Sequence, residues 1–312
     1  MTSGRRAGHV KPPARVRLDY GLRVLRQATG VLTARAGAAP KMTGQAVSPA
    51  NLMFDAALPA ELACERAALE RFDLYLFDAM NSPRLEGQIV FEYGILLRAL
   101  ERWSGLRVLD VGTGRSTFPA WMSHKGAVVT PLDLSVPAEA SWGGFHGRVN
   151  RLIGRRRGVI RPVTGSMRDL PFADNSFDLV TSLSVVEHLD TDLPERTFVP
   201  YDEQQRRLAR VLDETIRVTR PGGHLYVTSE CCDYSRATTD GWRRAYYYLD
   251  GPALSGAWPV EDVPRLFYDY VSARGCDLVN GVQFAPSDIS RQDRWTWRGP
   301  YFSGFSMLAR KR

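Results

Sequence analysis

Val108-Leu109-Asp110-Val111-Gly112-Thr113-Gly114 is a short apolar run that ends in a glycine-spaced turn, with Ser116 and Thr117 placed to cap a helix just after it. Such a run suits a strand buried on both faces, and glycines let the backbone turn tightly and approach a ligand with no β-carbon in the way. The start of the following helix leaves amide N–H groups without partners, so strand, turn and helix together form a cradle for a nucleotide-like ligand. The next expected strand ends at Asp133, 21 residues beyond Gly112, with Leu134 beside it. A carboxylate there can accept both hydroxyl protons of an adenosine ribose. A dinucleotide site would favour a third glycine three residues after Gly114, but Thr117 stands in that place, which argues against a bulky pyrophosphate.

Outward from this unit, short apolar runs alternate with helical stretches, the pattern of a parallel sheet covered by helices. The expected strands are 107–111, 127–132, 159–164, 177–183, 224–229, 277–284 and 303–309, and the expected helices are 118–124, 203–219 and 260–273. Upstream, apolar residues recur at helical spacing over 58–79 (Leu62, Leu69, Phe72, Leu76, Phe77) and over 89–100 (Phe91, Ile95, Leu96, Leu100). Residues 1–45, with Pro12-Pro13, several glycines and 36–40, read as a basic tail, although 18–32 can form a short amphipathic helix. The organisation expected is a tail over 1–45, a helical N-terminal extension over 46–104 and a main domain over 105–312, with insertions at 135–158 and 230–259.

A third block, Gly165-Ser166-Met167-Arg168-Asp169-Leu170-Pro171-Phe172-Ala173-Asp174-Asn175-Ser176-Phe177-Asp178-Leu179-Val180, and a later phrase, Arg217-Val218-Thr219-Arg220-Pro221-Gly222-Gly223-His224-Leu225-Tyr226-Val227, complete the picture. In this order and spacing, over 106–312, the chain resembles the class I S-adenosylmethionine-dependent methyltransferases, in the group with a Leu-Pro-Phe loop before strand four. The resemblance implies an α/β, Rossmann-like fold: a seven-stranded, mostly parallel sheet with helices on both faces, whose last strand (303–309) inserts antiparallel. It implies S-adenosylmethionine as cofactor and S-adenosylhomocysteine as product. It places Gly112, Thr113 and Gly114 at the methionine part and Asp110 at its amino group. Asp133 and Leu134 fall at the ribose, Ser166 and Met167 against the adenine, and Leu183 and Ser184 along the pocket wall. Many relatives carry an acid where this chain has Ser166.

Methyl transfer from a sulfonium needs an aligned nucleophile and a dry site, and a base only when the acceptor is a neutral hydroxyl. Glu187 and His188, just after strand four, are the candidate bases, with a pocket-shaping role as the alternative. His224 opens a strand and reads as structural, and Asp190 and Asp192 read as solvated acids, so no metal site is expected. Ser182-Leu183-Ser184-Val185 lacks the Asn/Asp-Pro-Pro-aromatic motif of amino methyltransferases acting on bases, and there is no Pro-Cys pair for cytosine C5 chemistry. Tyr234, Trp242, Tyr246, Tyr247, Tyr248 and Trp258, with Trp295, Trp297, Tyr301 and Phe302, supply either the wall of an organic acceptor pocket or an apolar cover for the sheet. The expected acceptor is a small molecule or glycan-linked group, with oxygen as the methylated atom on the strength of Glu187 and His188 as candidate bases and of the missing nitrogen motif. The phrase 114–119 resembles that of methyltransferases in polysaccharide or secondary-metabolite synthesis but names no acceptor.

Composition sets the outer limits. At 312 residues, 44% hydrophobic and 24% charged, the chain can bury a large core. The net charge of +7 resides in residues 1–37, which hold eight basic residues against Asp19, while the remainder balances at 33 basic and 33 acidic. Such an arm can track nucleic acid phosphate, so an RNA methyltransferase is one alternative, and a fold that binds the cofactor without turnover is another. No apolar run is long enough to span a membrane, and a cytoplasmic protein is expected. Cys64, Cys231, Cys232 and Cys276 show no zinc spacing and are too few for a disulfide framework.

Overall fold

A computed structural model of the chain describes residues 50–54, 62–65, 86–100, 102–114, 116, 118–134, 159–189, 200–237, 257–284 and 302–312. The tail, most of the expected helix 58–79, the insertion 135–158 and the greater part of 230–259 lie outside the described residues, as do Asp190 and Asp192. In chain order the elements are β1 (Asn51–Met53), α1 (Glu86–Ala99), β2 (Arg107–Val111), α2 (Phe118–His124), β3 (Val128–Asp133), β4 (Val159–Ile160), β5 (Val163–Thr164) and β6 (Phe177–Leu183). They continue with α3 (Tyr201–Val218), β7 (Thr219–Cys232), α4 (Tyr234–Ala237), β8 (Trp258–Pro259), a π-helical turn Pro264–Asp269 running into α5 (Tyr270–Ala273), β9 (Cys276–Leu278), β10 (Val282–Gln283) and β11 (Phe302–Lys311).

These segments form one sheet in the order β10-β1-β11-β7-β6-β2-β3-β4, with β5 continuing the β4 edge, β8 extending β7 beyond the end of β6, and β9 paired to β11. Every pairing is parallel except those of β11, which runs antiparallel between β7 on one side and β1 and β9 on the other. The mostly parallel sheet with its antiparallel insertion is therefore present. Strands buried on both faces read as continuous apolar runs, as β2 and β6 do.

One face of the sheet is covered by α1 and α2. Phe91 stacks on Phe54 with ring centroids 4.7 Å apart, and Tyr93 stacks on Phe118 at 4.2 Å, over Val108, Val129, Leu179 and Tyr226. The described part of 46–104 thus belongs to the main core. The other face is covered by α3 and the 264–273 helix. Leu208, Val211, Leu212 and Ile216 form one stripe of α3 against Leu225, Val227, Phe305 and Met307, each such burial being worth about 1.5–3 kcal/mol.

The strands expected over 159–164 and 277–284 are each split in two, into β4 and β5 and into β9 and β10, and two further features depart from the sequence expectation. Pro221-Gly222-Gly223 is not a turn ahead of a strand but a bulge within β7: the partner of Phe177 is Thr219, while the partner of Leu179 is His224. A Cβ at Gly223 would lie 2.9 Å from the carbonyl oxygens of Arg220 and Asp178, so the bulge requires glycine there. Second, Asn51–Met53 joins the sheet as a strand. Its anchor is the fully buried Asn51, whose Nδ2 donates to the carbonyls of Val279 (2.7 Å) and Gly281 (2.9 Å) while Oδ1 accepts the Leu308 amide at 2.7 Å. Cys231 and Cys232 end β7 as buried filling. Among the described residues no helix is long and apolar enough to cross a membrane.

Candidate active site

The C-terminal ends of β2, β3, β6 and β7 lie side by side. After β2 the amides of Gly112 and Thr113 both donate to the Leu132 carbonyl, at 2.8 and 3.1 Å, hooking the glycine turn onto β3. Gly112 and Gly114 have φ of +69° and +51°, in the left-handed region. Their surroundings differ. A Cβ on Gly112 would lie 2.2 Å from Val185 Cγ1, so glycine is required where the loop seats against the chain leaving β6. At Gly114 only the Gly112 oxygen, 3.9 Å away, comes within 4 Å, so the open side of the loop is there. The Gly114 amide donates to Asp133 Oδ2 at 2.8 Å, tying the loop to the acid that ends β3. Ser116 Oγ accepts the Phe118 amide at 3.1 Å as a helix cap and lies 2.7 Å from the Tyr93 hydroxyl, which brings α1 to the rim of the loop.

Asp110 is buried inside β2 and accepts the Thr181 hydroxyl at 2.6 Å. Burial pushes its carboxyl up to about 6; the Thr181 and Thr113 hydroxyls hold it down, and the Asp133 charge raises it further. Leu134 is 44% exposed beside Asp133. Ser166 pairs with Asp169 across a tight turn, and its Oγ accepts the Arg168 amide at 3.2 Å, so the hydroxyl serves the turn. Met167 is half-buried on the α3 face of the sheet, where it packs between the cluster containing Leu208 and Leu225 and the one containing Leu109 and Val180. The Leu-Pro-Phe loop that follows is clamped by α3: Leu170 N–H donates to Glu214, and Arg217 donates to the carbonyls of Leu170 and Phe172 and to Asp174.

At the end of β6 Leu183 is half-buried and Ser184 has φ of +49°, a conformation that costs a non-glycine residue about 1 kcal/mol or more. Two anchors hold it. Its amide donates to the Thr228 carbonyl at 3.0 Å, and its hydroxyl donates to Glu92 of α1. Glu187, one turn further on, is buried and accepts the Ser229 hydroxyl at 2.7 Å. Burial, then the Glu230 charge, raises its carboxyl far above the usual carboxylate range, with Ser229 opposing and Glu92 adding to the rise. Glu92, Glu187 and Glu230, all buried, therefore converge at the ends of β6 and β7. His188 is half-buried beside them, its amide donating to the Val185 carbonyl at 2.8 Å. His224 sits toward the other end of β7 and is not part of this group.

Of the aromatic residues, Trp242, Tyr246, Tyr247, Tyr248, Trp295, Trp297 and Tyr301 lie outside the described residues. Trp258 is core rather than wall, set edge-on to Phe267 at 5.8 Å, and the Tyr234 hydroxyl donates to the Ala257 carbonyl at 3.0 Å.

A family profile described as a methyltransferase domain matches residues 109–227, which run from the glycine loop through β7. Residues 109–227 thus carry a methyltransferase domain, in line with the resemblance drawn from the sequence. The chain is 29% identical over 170 residues to a demethylmenaquinone methyltransferase of Renibacterium salmoninarum, a match covering 54% of this chain and 59% of that one. It is 29% identical over 156 residues to a malonyl-[acyl-carrier protein] O-methyltransferase of Pectobacterium atrosepticum, covering 50% and 49%. The chain thus spans about half the length of these curated relatives. Among solved structures it is similar to a SAM-dependent methyltransferase from Methanosarcina mazei, at 16% identity and a TM-score of 0.46 over 67% of this chain and 93% of that one.

The cofactor of this methyltransferase family fits the residues present. Gly114 opens a cradle, Asp133 stands at the adjoining strand end, and Asp110 is a buried acid whose charge a cofactor ammonium can compensate. Glu92 and Glu230 were not singled out from the sequence. Glu92 is a carboxylate set in an otherwise apolar run, Ile89 to Leu97, and that was the available signal; Glu230 follows Thr228 and Ser229 and carries none.

Proposed function

We propose that the protein transfers a methyl group from S-adenosylmethionine to a hydroxyl of a small-molecule or glycan-linked acceptor. The observation that carries the oxygen assignment is Glu187, a buried carboxyl raised toward the working pH range beyond the ends of β6 and β7. A base is most effective when its pKa lies near the operating pH, and methylation at a neutral hydroxyl is the case that needs one. The names of the two relatives support the reading: both denote small acceptor groups, and one specifies oxygen.

In this reading Asp133 accepts the ribose hydroxyls, and ionised Asp110 meets the cofactor's amino group. When bound, the cofactor supplies a methyl group already activated on sulfur. The Ser184 backbone, pinned by Thr228 and Glu92, fixes the wall of the pocket. Helix α1, held to the loop through Tyr93 and Ser116, closes the cleft and excludes water. Glu187 takes the acceptor hydroxyl proton at its carboxylate, with Glu230 and Ser229 setting its readiness to do so. The test is calorimetric titration of the purified chain with S-adenosylhomocysteine, with NAD as control. Binding of the first alone, weakened at least tenfold by Asp133→Ala, is expected; binding of NAD instead, or of neither, overturns the reading. For the acceptor atom, Glu187→Gln is expected to abolish the alkaline rise in turnover on a hydroxyl acceptor while leaving S-adenosylhomocysteine affinity within twofold.

A further inference from the structure

Helix α3 carries chemistry that methyl transfer does not use. Glu203, Arg206, Arg207 and Arg210 stand at i, i+3, i+4 and i+7 and so share one face of the helix. That face looks onto the Ser166–Asp169 turn across a cavity of about 410 Å³, whose remaining lining is Ser166, Arg168 and Asp169. Four guanidinium groups meet two carboxylates there. Glu203 is already engaged by Arg206 at 2.9 Å and Arg207 at 3.0 Å, and Arg206 also reaches Asp202 at 2.8 Å.

Arg210 spends one donor on protein: its Nε donates to the Arg168 carbonyl at 2.7 Å, which fixes the plane of the guanidinium against the turn. Among the described residues no carboxylate lies within ion-pair distance of it. Burial, and then the charges of Arg207 and Arg210, pull the Arg168 guanidinium below the usual arginine range, with Glu203 opposing. With four guanidinium groups against Glu203 and Asp169, the lining of the cavity keeps an excess of positive charge that attracts an anion.

The geometry of the donors selects among anions. Guanidinium forks offer paired N–H groups that match phosphate oxygens, and here guanidinium groups converge from two elements, turn and helix, with Arg207 held in place by Glu203 and by the Leu189 carbonyl at 3.1 Å. A space of about 410 Å³ falls in the range of small organic ligand sites (~300–1,000 Å³) and leaves room beyond a bare phosphate. S-adenosylmethionine carries no phosphate, so the donors are not explained by the cofactor. We propose that this cavity binds a small organic phosphate ester, its phosphate held by Arg168, Arg207 and Arg210 and its organic part lying along the Ser166 turn.

The test titrates the full chain by calorimetry with phenyl phosphate, inorganic phosphate and benzoate. Phenyl phosphate is expected to bind at least tenfold more tightly than benzoate and more tightly than inorganic phosphate, and to weaken as sodium chloride is raised. Arg210→Gln is expected to weaken phenyl phosphate at least tenfold while S-adenosylhomocysteine affinity stays within twofold. Arg210 makes one backbone contact, so its variant should fold, and unchanged circular dichroism melting verifies this. Absence of phenyl phosphate binding to the wild-type chain, equal affinity for benzoate or inorganic phosphate, or an Arg210→Gln variant that binds like wild type would each overturn the proposal.

Discussion

Lowering the pH from 7 to 5 should weaken S-adenosylhomocysteine binding about tenfold, because the carboxyl of Asp110 must be ionised to meet the ligand's ammonium. In the free protein that carboxyl is raised from 3.8 to about 6, mainly by burial. The fraction ionised then makes the apparent dissociation constant scale as 1 plus ten to the power of pKa minus pH. The factor is about 1.1 at pH 7 and about 11 at pH 5, while the ligand's amine stays protonated throughout. The same shift acts on stability, and the sign follows from proton counting. Between pH 3.8 and 6 the unfolded chain has lost a proton that the folded, ligand-free chain keeps, so stability falls as pH rises through this window and is level above it. A shift of about 2 units at ~1.4 kcal/mol each makes this contribution about 3 kcal/mol, and a bound ammonium offsets it. Calorimetry at pH 5, 6 and 7 on wild type and Asp110→Asn is the assay. The variant should bind weakly with little pH dependence over this range. A wild-type dissociation constant constant from pH 5 to 7, or an Asp110→Asn profile parallel to wild type, would refute the role given to Asp110.

The two loop glycines should separate by assay. Gly112→Ala meets Val185 at a left-handed φ and should cost about 2–4 kcal/mol of stability in urea unfolding, whereas Gly114→Ala meets open space, costs only the left-handed φ, about 1 kcal/mol, and should also weaken S-adenosylhomocysteine binding. Asn51→Ala leaves the buried Leu308 amide and the part-buried Val279 and Gly281 carbonyls without their partner and should cost about 2–4 kcal/mol in the same unfolding assay; Asn51→Asp, which keeps only the acceptor, should be comparably damaging.

The sheet from Arg107 to Leu183 was readable because its strands are uninterrupted apolar runs punctuated by glycine, and Phe177–Leu183 begins and ends where the periodicity places it. The same holds for Asp133 at the end of β3 and for Ser116 as helix cap, where residue type and local position carry the whole signal. Three other features depend on partners far away in sequence. Asn51–Met53 is too short to show a period, and it is a strand only because Asn51 finds Leu308 and Val279. Gly112 reads as a turn glycine, and its close packing on Val185 is visible only in the fold. Glu92 and Glu230 lie on a helix and a strand whose spacing in the chain gives no sign that they meet. The Pro-Gly-Gly phrase signals a turn by composition, and the pairing of Phe177 with Thr219 ahead of it turns the same residues into a bulge.

The strand that Asn51 anchors also bears on how the chain reaches its native state. Ser303 Oγ donates to the Phe54 carbonyl across 249 residues, and Asn51 meets Leu308 across 257. Contacts of that sequence separation close very long loops, and topologies rich in them fold slowly. During synthesis from the N-terminal end, β1 has no edge to join until β10 and β11, far downstream, have left the ribosome, so it waits unpaired through the synthesis of the strands between. A refolding time course should therefore show the glycine loop protected from hydrogen exchange before the Asn51–Met53 amides are, with this outer seam the last part of the sheet to close.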